Sequence, residues 1–344
     1  MADLENYDYL LSKDRIAQHP ATQRDHSKLM IIKKESIEHR IFHQIIEEVE
    51  AGDLFIVNNS KVIAASLEGQ KESGGVVECV FLREVNPEGH IWECILKGRR
   101  VKKDGKILFL DGKLRGRILN WIKFGQFLIE FQSEGPVKKL LHEYASITLP
   151  PYIHAPQQDL SRYQNTYAAV EGSIAAPTAG FHFSPELIQK IEKKGAKFVA
   201  ITLHVGYSTF MHLTNEILTA GKMEEKEYFS IVPSASEIIE KSRAENRQLI
   251  VVGTTTLKAL ETATSNNGKM TQLEGWSDIF IAPGYSFKSG MTRMVTNFHM
   301  PQSPPLLMVC AFAGKDRIFR AYQEAIAQNY RFYSFGDAML VDRQ

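Results

Sequence analysis

The 344 residues are 44% hydrophobic and 24% charged, an ordinary globular balance, and the chain is long enough for about two domains. With 41 basic and 40 acidic residues the net charge is +1, so affinity for nucleic acid would have to come from a local patch. No apolar run approaches the roughly 20 residues of a membrane helix, the first residues carry acids where a secretory signal carries bases, and three scattered cysteines make neither a disulfide framework nor a zinc cage, so a cytoplasmic protein is expected.

Near the N-terminus the pattern predicts a helix over residues 42–50, then a strand at Asp53-Leu54-Phe55-Ile56-Val57 that ends in Asn58-Asn59-Ser60. Residues 67–149 change to short apolar runs separated by Gly, Asn and Asp, among them residues 76–82, 91–96, 106–110 and 126–131. Evenly spaced strands joined by turns predict a small antiparallel barrel. Within it, Lys97, Arg99, Arg100, Lys102 and Lys103 crowd one turn, where they could follow a phosphate backbone or simply face solvent. After Pro150-Pro151 helices and strands alternate: a helix over residues 185–194 opened by Ser184 and stopped at Gly195, then a buried strand over residues 197–205. The expected fold class is therefore α/β. An α/β domain with a mixed sheet forms from both ends of the chain, residues 1–66 and 150–344, and is interrupted by an inserted β-barrel domain, residues 67–149.

Two groups of residues carry the chemistry. Residues 173–183 read Ser-Ile-Ala-Ala-Pro-Thr-Ala-Gly-Phe-His-Phe, a shaped loop in which small residues admit a ligand to the main chain, Gly180 permits positive φ, and His182 sits between phenylalanines. The same segment also reads as a tight connection around a satisfied core histidine. Farther on, four apolar strands end in polar or glycine-rich turns: His204 with Gly206 and Thr209, Gly253-Thr254-Thr255-Thr256 before a helix from Leu257, Ala282-Pro283-Gly284 after residues 279–281, and Thr296-Asn297-Phe298-His299 after Met294-Val295. Ligands of α/β sheets sit beyond the carboxyl ends of strands, and hydroxyls with free N–H groups at a helix start suit a carboxylate or phosphate. A Gly-x-Gly-x-x-Gly after a strand is absent, and Lys258 lacks the phosphate-loop spacing. His182, His204 and His299 would make a three-histidine zinc site only if their loops met, the alternative of metal-dependent hydrolysis.

In this order the segments resemble the S-adenosylmethionine:tRNA ribosyltransferase-isomerase family of queuosine biosynthesis. They are residues 24–29, 52–54, 59–63, 149–153, 173–183, 202–206, 252–255, 296–299 and 330–339. The resemblance implies an α/β domain interrupted by a barrel, and an enzyme that transfers and isomerises the ribosyl part of S-adenosylmethionine. The acceptor would be 7-aminomethyl-7-deazaguanine in the tRNA anticodon, and the products epoxyqueuosine, adenine and methionine. Such an enzyme would need S-adenosylmethionine as co-substrate and no other cofactor or metal, a tRNA partner, no membrane, and no more than a monomer. His182, His204 and His299 are then the candidate bases or leaving-group acids. Arg24, Asp25, Ala176, Pro177, Thr178, Gly180, Gly206, Thr209, Gly253, Thr254, Thr255 and Asn297 are the candidate substrate contacts, with Glu261 set against the methionyl ammonium group and the run at residues 97–103 against tRNA. This chain departs from the family pattern at Ser66, at residues 221–225 and at Pro304-Pro305. Those departures leave a second reading, a paralogue that binds S-adenosylmethionine but serves another acceptor or only binds.

Overall fold

The computed structural model describes residues 4–123, 125–157, 159–206 and 213–344. The chain begins with β1 (Lys28–Ile32), β2 (Ile37–Ile41), β3 (Leu54–Asn58) and the short β4 (Ser60–Val62). Six strands follow, β5 (Ser66–Lys71), β6 (Val76–Asn86), β7 (Ile91–Lys97), β8 (Lys106–Phe109), β9 (Leu114–Lys123) and β10 (Gln126–Ser133), and then α1 (Val137–Tyr144). The remainder runs β11 (Val170–Ser173), α2 (Pro185–Lys193), β12 (Lys197–Leu203), α3 (Asn215–Ala220), β13 (Lys222–Ser230), α4 (Pro233–Ala244), β14 (Leu249–Val252) and α5 (Thr254–Ala263). It ends with β15 (Glu274–Ile279), β16 (Arg293–Asn297), α6 (Pro304–Ala313), α7 (Lys315–Ala327) and β17 (Ala338–Asp342). Two compact units result, one of Met1–Lys61 with Pro150–Gln344 and one of Val62–Leu149.

The first unit carries a nine-stranded mixed sheet in the order β15-β13-β12-β3-β14-β16-β17-β1-β2. Its middle is parallel: β12 and β14 flank β3, and β16 lies beside β14. Every residue of β3 and β14 is buried, as strands covered on both faces require. Alternate side chains then serve different cores. Leu54, Ile56, Leu249 and Val251 pack with α4, α5, α6 and α7 residues such as Ile239, Leu257, Leu306 and Ile318. Phe55, Val57, Ile250 and Val252 pack with Phe42, Ile45, Leu187 and Ile191 on the other face. Antiparallel strands β13, β15, β17 and β2 complete the sheet. Together with the barrel, it makes the α/β architecture with a sheet built from both chain ends.

The second unit is a closed antiparallel barrel in the order β10-β7-β6-β5-β8-β9. Closure removes the free edges that six short strands would otherwise expose. Leu67, Cys79, Phe81, Trp92, Cys94, Phe109, Ile129 and Phe131 fill its interior. All three cysteines are free and buried, behaving as small apolar residues.

Three elements differ in detail from the sequence reading. The stretch expected as a helix over residues 42–50 is a 3-10 helix, Phe42–Glu48. Helix α5 starts at Thr254 and not at Leu257, because Gly253 turns the chain with φ 91° directly out of β14. The strand expected at residues 279–281 lies earlier, since β15 ends at Ile279. Among the described residues no helix is long and apolar enough to cross a membrane.

Candidate active site

The parallel strands β12, β3, β14 and β16 bring Leu203, Asn58, Val252 and Asn297 to the same edge of the sheet, and a solvent-open cavity of about 710 Å³ lies there. Asn58 ties the strand ends together. Its amide donates to the Leu203 carbonyl (2.9 Å) and to Thr255 Oγ1 (3.2 Å), and its Oδ1 accepts from the N–H groups of Leu203 and Ser60, both at 3.0 Å.

One wall is the start of α5. The Gly253 N–H is used by the Val295 carbonyl at 2.8 Å, whereas no side chain caps the helix, so the N–H groups of its first turn are left for a ligand. Gly253, Thr254 and Thr255 all line the cavity. The Ala175, Ala176, Pro177, Thr178 segment also lines the cavity, and its small side chains leave the main chain close to the open space. Aromatic rings close the remaining side: Tyr152 and Tyr333 meet at 4.9 Å, and Tyr163 lies beside them. The Tyr163 hydroxyl is buried without a hydrogen-bond partner, and burial holds its proton on.

The three histidines are in three different environments. His299 is on the cavity wall. Its Nε2 meets Thr296 Oγ1 at 2.9 Å, its N–H donates to the Tyr322 hydroxyl at 2.9 Å, and desolvation pushes its imidazole down to about 3, so the ring is neutral. His182 does not line the cavity. It is buried against Phe42, with ring centroids 5.0 Å apart, and both nitrogens are engaged: Nδ1 with Ser27 Oγ at 2.7 Å and Nε2 with the Asn297 amide at 3.2 Å. Burial, with Arg331 and Arg24 nearby, pushes its imidazole down to about 3. An amide N–H on Nε2 makes that nitrogen the acceptor and puts the proton on Nδ1, toward Ser27. Asn297 is thereby fixed, because its amide also donates to the Tyr333 carbonyl (3.2 Å) while its Oδ1 accepts from Thr178 Oγ1 (3.2 Å). His204, half-buried and likewise lowered by burial, bonds Ser60 Oγ through Nδ1 at 2.8 Å and stacks on Tyr228. The rings do not converge: no group of three or more His, Cys, Asp or Glu among the described residues is placed to hold a metal, which removes the three-histidine reading.

A second recess of about 540 Å³ adjoins the cavity and shares Thr254, Thr255 and Pro305 with it. Its floor holds a buried ion pair, Lys258 Nζ to Glu227 Oε2 at 2.8 Å, and Glu227 Oε1 also accepts the Gly206 N–H at 2.9 Å. Met223, Met308, Phe280 and Ile281 supply apolar walls. Burying two charges is expensive unless they are paired, so a pair kept beside a cavity is a candidate for function. The sequence reading passes over Glu227, which stands in an acidic and basic stretch resembling a solvated strand. A signal was present in Lys258, one turn after Thr254 in a helix whose other residues, Glu261 apart, are apolar or hydroxylic.

The other expected contacts fall into several places. Ala176, Pro177, Thr178, Gly253, Thr254, Thr255 and Asn297 share the cavity with His299. Gly206 touches Glu227, as noted, and Thr209 lies outside the described residues. Glu261 does not face the cavity, and its expected role against an ammonium group gives way to a structural one. It is fully buried and accepts from the N–H groups of Lys288 (2.8 Å) and Ser289 (3.0 Å) and from the Tyr285 and Ser289 hydroxyls. Gly180 keeps a negative φ. What demands glycine there is crowding, since a Cβ would lie 2.1 Å from the Tyr167 hydroxyl. Asp25 accepts from Ser184 Oγ at 2.7 Å, the residue that caps α2, and Arg24 donates to the Phe181 carbonyl at 3.3 Å in a neighbouring recess. In the barrel, Arg99, Arg100, Lys102 and Lys103 are exposed between β7 and β8, while Lys97 pairs with Glu78 at 2.9 Å.

A family model described as queuosine biosynthesis protein matches residues 4–341. The S-adenosylmethionine:tRNA ribosyltransferase-isomerase of Desulfitobacterium hafniense is 43% identical over 98% of this chain and 99% of its own length. The protein of that name from Thermoanaerobacter sp. is 43% identical over 96% and 97%. A crystal structure of S-adenosylmethionine tRNA ribosyltransferase from Thermotoga maritima, 33% identical, aligns with 97% of this chain and 99% of its own at a TM-score of 0.55.

Proposed function

The chain belongs to the queuosine biosynthesis protein family, and from that membership we propose that it is an S-adenosylmethionine:tRNA ribosyltransferase-isomerase. It transfers and isomerises the ribosyl group of S-adenosylmethionine onto 7-aminomethyl-7-deazaguanine in the tRNA anticodon, giving epoxyqueuosine, adenine and methionine. S-adenosylmethionine is the co-substrate and no further cofactor is called for. A cytoplasmic monomer suffices, since one chain supplies every group named.

The observation that carries the assignment of the site is the uncapped start of α5 opening into a cavity that a neutral imidazole also lines. The methionyl carboxylate is set on the N–H groups of Thr254 and Thr255. Its ammonium group is set toward Glu227, whose charge Lys258 and the Gly206 N–H hold in place, and its thioether chain against Met223 and Met308. The adenine and the deazaguanine need flat apolar partners, which Tyr152, Tyr163 and Tyr333 provide.

The reaction requires a base for a C5′ proton acidified by the sulfonium, shielding of the resulting ylide from water, departure of adenine, and attack by the acceptor amine. His299 is the proton-handling group we assign, since it is an imidazole on the cavity wall, neutral and oriented by Thr296. His182 acts behind it by fixing Asn297. On the barrel, Arg99, Arg100, Lys102 and Lys103, with Lys97 beside them, serve the tRNA backbone. The test is incubation with S-adenosylmethionine and tRNA carrying the aminomethyl-deazaguanine. Adenine and methionine should appear in equal amounts with the epoxyqueuosine mass, whereas S-adenosylhomocysteine and methylated RNA would contradict the assignment.

A further inference from the structure

Beside the cavity, and sharing Ser334 with it, is a recess of about 270 Å³ lined by Pro20, Arg24, Arg162, Phe181, His182 and Gly336, among others. Two guanidinium groups meet there without a direct ion pair among the described residues. Arg24 donates only to the Phe181 carbonyl (3.3 Å), over whose ring it lies at 5.9 Å, and Arg162 donates only to the carbonyls of Ala21 (2.7 Å) and Thr22 (3.2 Å). Neither has a carboxylate within 4 Å among the described residues, although most arginines of the chain that approach the interior do. Arg293 is held by Glu48 and Asp342, and Arg331, beyond His182, by Asp337. The nearby acids make no direct ion pair: the exposed Asp159 accepts from the Ser161 N–H at 2.9 Å and acts on both arginines only at longer range, and Asp25 accepts from Ser184. The Arg162 Nε is buried with no partner at all. Desolvation, and after it the like charge of Arg162, lower the pKa of Arg24 in spite of the opposing charge of Asp159, the mark of two cations held together at a cost.

We propose that Arg24 and Arg162 form an anion site that takes a phosphodiester of the RNA acceptor next to the nucleotide being modified. A guanidinium fork matches two phosphate oxygens, and a bound phosphate would satisfy Nε and cancel the repulsion between the two cations. The position supports RNA over the carboxylate of the co-substrate, because the α5 start and Glu227 already answer the amino-acid end. It also couples binding to the cavity: the same recess is lined in part by the buried His182, whose Nε2 holds the cavity residue Asn297. This inference rests on the assignment of a tRNA substrate.

The test measures tRNA binding and S-adenosylmethionine binding separately, for the parent protein and for Arg24→Gln and Arg162→Gln. Each variant should bind RNA about tenfold more weakly, with a log affinity against log salt slope shallower by about 0.7 to 1, the value of one phosphate contact, and should bind S-adenosylmethionine within twofold of the parent. Because Arg162 also ties down the main chain at Ala21 and Thr22, a second experiment uses the parent protein. An anticodon stem-loop carrying a single uncharged methylphosphonate should lose affinity at one linkage flanking the modified nucleotide, and Arg24→Lys should shrink that loss. Folded variants with the parent's RNA affinity and salt slope would overturn the inference, as would a loss confined to S-adenosylmethionine binding. A parent protein that binds no tRNA would instead overturn the assignment beneath it.

Discussion

Glu227 and Glu261 are both buried glutamates near the same helix, yet their partners give them opposite roles. Glu261 has its oxygens filled by N–H and hydroxyl donors from residues 285–289 and fastens a loop, while Glu227 shares its charge with Lys258 at the edge of a cavity. Neither role can be read locally, because the partners lie 24 to 31 residues away. The histidines divide in the same way. Residue types at strand ends were visible in the sequence, but which ring nitrogens are engaged depends on Ser27, Ser60 and Thr296, and two of these are far off in the chain. His299→Asn should therefore lower kcat by about 10²–10⁴ with little change in S-adenosylmethionine affinity, while His182→Gln should act more weakly, through Asn297. A stability measurement tests the burial of the His182 ring. The buried His182 titrates near 3 when folded and near 6.5 when unfolded, so the unfolded chain binds more protons between those values. Its contribution is complete above about pH 6.5 and falls by about 1.4 kcal/mol per pH unit as the pH drops toward 3. Urea unfolding at pH 7 and pH 5 should show that His182→Gln removes this part of the slope, and an unchanged slope would mean the ring is not buried neutral.

At the scale of elements, what is legible is what neighbours in sequence decide. The apolar runs of the barrel, the Ser184 cap of α2 and the turn from β14 into α5 are local signals, and all are present in the structure. The strand order is not local: β17 closes beside β1 from the far end of the chain, and β15 is displaced to the sheet edge because β13 intervenes. Two departures from the family pattern also find their reason here. Pro304 and Pro305 occupy the first two positions of α6 behind the Ser303 cap, where their missing N–H groups would have had no helical partner, so the helix loses nothing. Ser66 is buried at the start of β5 and donates to Glu78 at 3.0 Å, a contact a serine fills without introducing charge. The turn at Gly253 depends on its backbone conformation. A Cβ there would find room, with Ala179 at 3.5 Å, but φ 91° is strained for any other residue. Gly253→Ala should cost about 1–3 kcal/mol in urea unfolding and weaken S-adenosylmethionine binding by about tenfold as the α5 start shifts. Parent-like values for both would remove the turn from the binding site.

For the whole molecule, a net charge of +1 means that RNA affinity must be concentrated in patches, and four exposed basic side chains between β7 and β8 form one of them. Reversing Arg99, Arg100, Lys102 and Lys103 to glutamate should leave S-adenosylmethionine binding intact, weaken tRNA binding, and flatten its salt dependence by several units of slope. Equal slopes would assign the run to solvent. In the proposed arrangement the amino-acid end of S-adenosylmethionine lies on the start of α5 and Glu227, with the reacting ribose toward His299. The most direct test is a crystal structure of the protein with S-adenosylmethionine bound. The carboxylate should lie within hydrogen-bonding distance of the Thr254 and Thr255 N–H groups and the ammonium group beside Glu227. A ligand seated elsewhere, with the α5 start still facing water, would contradict it.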